Sequence, residues 1–207
     1  TRHDDLSVYL DIDMDSAGNA IAVWSQEDKD GVFSIYANHY IPVEGWGDER
    51  IIDSGSETAK SVAVDIDPEG NAFVVWQQED EGFDIPPVSS IYSRRYKIMD
   101  SDWETVRLIE SGDENAIHPD IQTDLNGNAI AVWIQGDSTG SLYSNRYVVK
   151  DDKGWGTEEL LESSTGRVDP ESPPSLAIDS EGDAVVVWAQ EEFTGTRDYS
   201  IYSNHYE

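Results

Sequence analysis

All seven tryptophans of this 207-residue chain fall at two positions of a repeated unit. Trp24, Trp76, Trp133 and Trp188 are spaced by 52, 57 and 55 residues, and Trp46, Trp103 and Trp155 by 57 and 52. Periods of this length belong to arrays of supersecondary units that bury their apolar faces on one another, as propeller blades and stacked repeats do. The units run over about 7–58, 59–115, 116–169 and 170–207, and the fourth stops before a second tryptophan. No linker divides the array, so it reads as one domain.

Each unit opens on a short stretch, Ser7 to Asp13, Ser61 to Asp67 and Ser175 to Asp179 being apolar and His118 to Asp124 more polar. An Asp-x-x-Gly turn follows, begun by Asp15, Asp67, Asp124 and Asp179. Asp at the first position accepts backbone N–H bonds and Gly at the fourth takes positive φ, which makes a hairpin. The next segment is Ala-Ile-Ala-Val-Trp-Ser-Gln at 20–26, with counterparts at 72–78, 129–135 and 184–190. Alternate positions are apolar on both faces, so this strand is covered on two sides. Trp24, Trp76, Trp133 and Trp188 are therefore expected to lie buried between adjacent sheets. A third strand, Ser-Ile-Tyr-Ala-Asn-His-Tyr at 34–40, recurs at 90–96, 141–147 and 200–206. Short edge strands close units 1 to 3, ending Arg-Ile-Ile-Asp at 50–53, Arg-Leu-Ile-Glu at 107–110 and Glu-Leu-Leu-Glu at 159–162. The fold class is all-β, with four antiparallel strands to a blade and the last blade incomplete.

These repeats resemble the β-propeller blades of bacterial surface proteins, lectin propellers and sialidase-like proteins. The Asp-box of sialidase-type propellers, Ser-x-Asp-x-Gly-x-Thr-Trp, differs in spacing, because here Gly follows Asp by three residues and Trp follows Gly by six. The sialidase active site is therefore not carried over. What the resemblance implies is a β-propeller of four repeats. The alternative is a segment of a larger propeller or an open repeat array.

Forty-three acidic residues against thirteen basic ones give a net charge of −30. Phosphate contacts would form against a repulsive field, which excludes nucleic acid as a partner. No apolar run is long enough to span a bilayer as a helix, so membrane insertion is not expected. The absence of cysteine rules out disulfides and thiolate metal sites. Acidity together with many Trp, Tyr, Asn and Asp points to an extracellular or cell-surface setting, where salt screens the self-repulsion.

A propeller binds at the face that carries the loops after the second strand. Those loops begin at Gln26 and Asp28, Gln78 and Asp80, Gln135 and Asp137, and Gln190 and Glu192, a candidate ring of amides and carboxylates for a glycan or protein ligand. The alternative is that the Gln side chains cap neighbouring groups and the acids are solvated. Asp11, Asp13 and Asp15 alternate as calcium ligands do, but position 22 is Ala where an EF-hand has Glu. Turn chemistry accounts for Asp15, Asp67, Asp124 and Asp179 without a cofactor, and calcium is the one cofactor left open. His39, Arg95, Arg146 and His205 share one strand position, where pairing with acids or stacking on the repeat Trp is expected. No triad context surrounds His3, His39, His118 or His205.

The main functional expectation is a non-enzymatic binding module recognising a glycan or protein through loops of one face. The alternatives are a glycoside hydrolase or lyase using axial carboxylates, and a structural segment of a larger surface assembly. The open edge of unit 4 invites self-association or a larger assembly.

Overall fold

A computed structural model describes residues 9–55, 57–81, 87–136, 140–150, 154–162, 166–193 and 197–206. Four antiparallel sheets of four or five strands follow one another along the chain, and these residues contain no helix. The fold is a four-blade β-propeller array.

In blade 1, β1 (Leu10–Met14), β2 (Ala20–Glu27) and β3 (Phe33–Ile41) form a meander, and β4 (Gly45–Trp46) and β5 (Arg50–Ile51) are two pieces of one edge strand on β3. Blade 2 repeats this with β6 (Ala59–Ile66), β7 (Ala72–Glu79), β8 (Ser89–Lys97), β9 (Asp102–Trp103) and β10 (Arg107–Leu108). Blade 3 has β11 (Ala116–Thr123), β12 (Ala129–Gln135), β13 (Ser141–Val148), β14 (Gly154–Trp155) and β15 (Glu159–Leu160). In blade 4, β16 (Arg167–Val168) and β17 (Ser175–Ile178) lie on one side of β18 (Ala184–Phe193), and β19 (Arg197–Tyr206) lies on the other. The fourth sheet thus takes Arg167 and Val168, which the repeat boundary at 169 leaves in unit 3. Its first strand is interrupted where Pro170, Pro173 and Pro174 cannot donate ladder hydrogen bonds. Among the described residues no strand lies on the outer side of β19.

The two tryptophan positions have two packing roles. Trp24, Trp76, Trp133 and Trp188 stack on the cross-strand Tyr36, Tyr92, Tyr143 and Tyr202, with ring centroids 5.9 to 6.5 Å apart. Trp46, Trp103 and Trp155 close on Tyr40, Tyr96 and Tyr147 at the edge strands. Each seam between blades joins the same two surfaces. Ile21, Val23 and Ile35 of blade 1 meet Val64, Val74 and Trp76 of blade 2. Phe73, Val75 and Ile91 of blade 2 meet Ala131 and Trp133 of blade 3, whose Ile130, Val132 and Leu142 meet Val186 and Trp188 of blade 4.

Trp76, Trp133 and Trp188 are buried at these seams, whereas Trp24 is only half-buried. The expectation of four buried indoles fails at Trp24 for a physical reason: among the described residues no blade lies against its face. Two-sided apolarity, the premise of that expectation, holds for every copy of the strand.

Candidate functional site

Acidic side chains of the first strands join the blades. Asp11 and Asp13 accept the backbone N–H groups of Val64 and Ile66, each at 2.9 Å. Asp65 accepts from Thr123 N at 2.8 Å and from the Thr123 hydroxyl, and Asp120 accepts from Leu176 N at 2.8 Å. A first strand pairs with only one neighbour in its own blade, so its other edge has unpaired N–H groups. Carboxylates of the preceding blade satisfy them. Burial pushes the Asp65 carboxyl up to about 7 and raises that of Asp120, with nearby Asp carboxylates adding to both. These first-strand acids are bonded to the backbone of the following blade.

The turn acids are similarly occupied. Asp15 and Asp124 accept from two backbone N–H groups and an Asn amide, Asp67 from Asn71 N and its amide, and Asp179 from the N–H groups of Glu181, Gly182 and Asp183. Among the described residues no group of three or more His, Asp or Glu side chains is placed to hold a metal ion.

The glutamines of the candidate ring are bonded to the repeat indoles, and three of them are buried. Trp24, Trp76, Trp133 and Trp188 donate their indole N–H to Gln26, Gln78, Gln135 and Gln190 at 2.9 to 3.1 Å. Gln78, Gln135 and Gln190 are buried, while Gln26 is exposed. A buried indole N–H needs an acceptor, and Gln two residues on along the strand shares its face. The three buried amides are inaccessible to a ligand. Glycines make room for them, since a Cβ on Gly112 would lie 2.0 Å from Gln135 Nε2. Of the four strand-three groups Arg95 stacks on aromatic rings, though not on the repeat Trp: it lies 5.1 Å over Phe73 and 5.5 Å over Tyr147, and 3.7 Å from Asp67. The His39 ring packs 5.0 Å from Tyr96.

The ring acids diverge between blades. Asp28 closes its own loop by accepting from Asp30 N and Val32 N, which holds its carboxyl below the usual range. Glu192 accepts from the Ser200 hydroxyl, and Asp137 lies outside the described residues. Asp80, half-buried, accepts from Ser90 Oγ at 2.9 Å and from Tyr92 OH at 3.5 Å.

Ser90 also meets Glu110, a buried carboxyl at the end of the blade 2 edge strand. Glu110 Oε2 accepts from Gly112 N at 2.7 Å and from Gln135 Nε2 at 3.2 Å. Burial nonetheless raises its carboxyl above the usual range, with the Asp80 charge contributing. One serine hydroxyl has one proton for two carboxyls. Ser90 directs its proton to Asp80 at 2.9 Å.

Blade 2 breaks the repeat here. The counterpart of Glu110 in blade 1 is Asp53, raised to about 6 by burial and bonded to Ser34, while Asp28 is held in its own turn. In blade 3 Glu162 accepts from Leu142 N. Beside the Glu110 end of blade 2, a groove of about 860 Å³ runs between blades 2 and 3, lined by Glu110, Arg107, Trp155, Thr157 and Glu158 among others. Sequence reasoning named Asp80 but missed Glu110, whose repeated position among the edge-strand acids was the available signal.

No protein-family model matches the chain, and no curated protein matches it in sequence. Solved structures do match in fold. An intramolecular trans-sialidase from Ruminococcus gnavus superposes with a TM-score of 0.64 at 9% identity, covering 92% of this chain and 69% of that one. An ulvan lyase, of a polysaccharide lyase family, gives 0.62 at 9% identity over 94% and 54% of the two chains, and a Hadza microbial sialidase gives 0.58 at 12% over 95% and 43%. The resemblance to sialidase-like propellers therefore holds at the level of fold. The chain spans between about two-fifths and two-thirds of these proteins' lengths. The sialidases, glycoside hydrolase and polysaccharide lyase among the structures that share this fold overturn the expectation of a non-enzymatic binding module. No helix among the described residues is long and apolar enough to cross a membrane.

Proposed function

We propose that this chain provides the acid–base centre of a carbohydrate-active enzyme that cleaves glycosidic bonds, with Glu110 as proton donor to the leaving oxygen and Asp80 as the partner carboxylate. The observation that carries the reading is Ser90, which bonds Asp80 and lies beside Glu110, whose carboxyl is raised by burial, a combination present only in blade 2 among the described residues. Two carboxyls whose surroundings differ are what acid–base division of labour needs. The inter-blade groove offers Trp155 as a stacking surface for a sugar ring and reaches Glu110 at one end. A glycan substrate and an extracellular or surface location agree with the acidic chain and with the activities named for the proteins that share its fold.

The test is cleavage of a panel of plant, algal and sialylated glycans, followed by new reducing ends and, separately, by the ultraviolet absorbance of an unsaturated lyase product. Glu110→Gln and Asp80→Asn should each lower kcat by about 10²- to 10⁴-fold with tryptophan fluorescence unchanged. Activity should fall on the alkaline side as Glu110 loses its proton. Full activity in Glu110→Gln would refute the assignment, and an unsaturated product would replace hydrolysis by elimination.

A further inference from the structure

The two end faces of the array are the two halves of the seam found between its blades. On blade 1, Leu10, Ile12 and Met14 are 71%, 53% and 56% exposed, whereas the same repeat positions in blade 2, Val62, Val64 and Ile66, are 8%, 5% and 7% exposed. On blade 4, Val185, Val187 and Ile201 are 45%, 39% and 76% exposed, where Phe73, Val75 and Ile91 of blade 2 are fully buried. One end presents a tryptophan face and the other a β-branched face, and every internal seam joins one of each. Both are uncharged at these positions in a chain of net charge −30. Open apolar faces of this extent mark interaction surfaces.

We propose that the blade 4 face of one copy of this chain docks head to tail on the blade 1 face of a second copy. Continuity with the internal seams selects a second copy, because the surface that fits each face is the other face of the same molecule. The contact is heterologous, so a copy can engage neighbours at both ends, closing a ring or extending a row. It is also weaker than an internal seam. Ser175 and Ala177 stand at the positions of Asp11 and Asp13, so blade 4 offers no carboxylate to the next first strand. The assembly is therefore reversible, and added salt strengthens it by screening the repulsion between two acidic chains.

Sedimentation equilibrium of the chain from micromolar to millimolar concentration, at low and high salt, provides the test. The expected result is a mass that rises with concentration and with salt. Ile12→Asp and Val187→Asp should each give monomers, while Val43→Asp, at an exposed site on neither face, assembles as the parent does. A mixture of the Ile12→Asp and Val187→Asp proteins keeps one intact seam and should form dimers that grow no further. Should either Asp variant lose its fold by circular dichroism, Ile12→Ser and Val187→Ser take its place. A parent that is monomeric throughout, a mixture that stays monomeric, or an assembly that survives both face variants overturns the proposal.

Discussion

Blade 2 and the outer surface of blade 1 are built from the same repeat yet live in different solvents. The indole of Trp76 is fully buried against blade 1, and that of Trp24, at the same strand position, is half-exposed. Both stack on a Tyr of the adjoining strand and both donate to a Gln two residues on. The comparison separates what a blade does alone from what its neighbours do for it. Local contacts come from the hairpin, and dehydration comes from the next sheet.

The largest expected effect follows from that division. Trp133→Ala should destabilise by about 3–5 kcal/mol, because it opens a cavity in the seam between blades 2 and 3. Trp24→Ala should cost about 1–2 kcal/mol, since much of its ring already faces water. Urea titrations of the two variants at concentrations where the chain is monomeric check this, and equal losses would mean that the blade 1 face is covered within the monomer.

A smaller contrast tests the Trp–Gln bond in the two settings. Gln135→Ala should cost about 2–3 kcal/mol, as it strands a buried indole N–H and removes a donor from Glu110. In Gln26→Ala the exposed side allows water to replace the amide, and the change should stay within about 0.5 kcal/mol. Thermal melts compared at one pH read both, and a costly Gln26→Ala would break the parallel with exposure.

Much of the fold was legible because strand signals are local. Alternation along 20–26 and its copies, the Asp-x-x-Gly turns and the tryptophan spacing each depend on residues close together in the chain. The backbone kinks in the first strands were not legible: Ser61 and His118 take φ of 52° and 54° where the register shifts, with no glycine to signal it. Seam chemistry was hidden as well. Asp65 reaches Thr123 across 58 residues, so its role depends on how sheets stack, and a polar residue beside apolar ones reads simply as solvated. Asp80 and Glu110 meet at Ser90 only because the edge strand of blade 2 returns along β8. Gln as an indole acceptor was visible in spacing but not in direction.

The smallest effect concerns the carboxylates that join the internal seams and are missing from the blade 4 face. Asp65, with its carboxyl raised to about 7 mainly by burial, holds a proton that an unfolded chain releases near pH 4. Between those two values the folded state binds more protons than the unfolded one, so stability falls as pH rises through this window and levels off above it. Asp65→Asn keeps an acceptor for Thr123 N and carries no charge to desolvate. The variant should match the parent near pH 4 and exceed it by about 1–2 kcal/mol near pH 8, the full shift being discounted for solvent screening. Ser175→Asp, made on the blade 4 face and measured in the dilute monomer, should show no such pH-dependent gap, because a carboxylate there is hydrated on both sides of the transition. Denaturation of parent and Asp65→Asn proteins across pH 4 to 8 decides it: a constant difference between them would mean that Asp65 is charged in the seam, and that the bonds from Thr123 outweigh the burial of its charge.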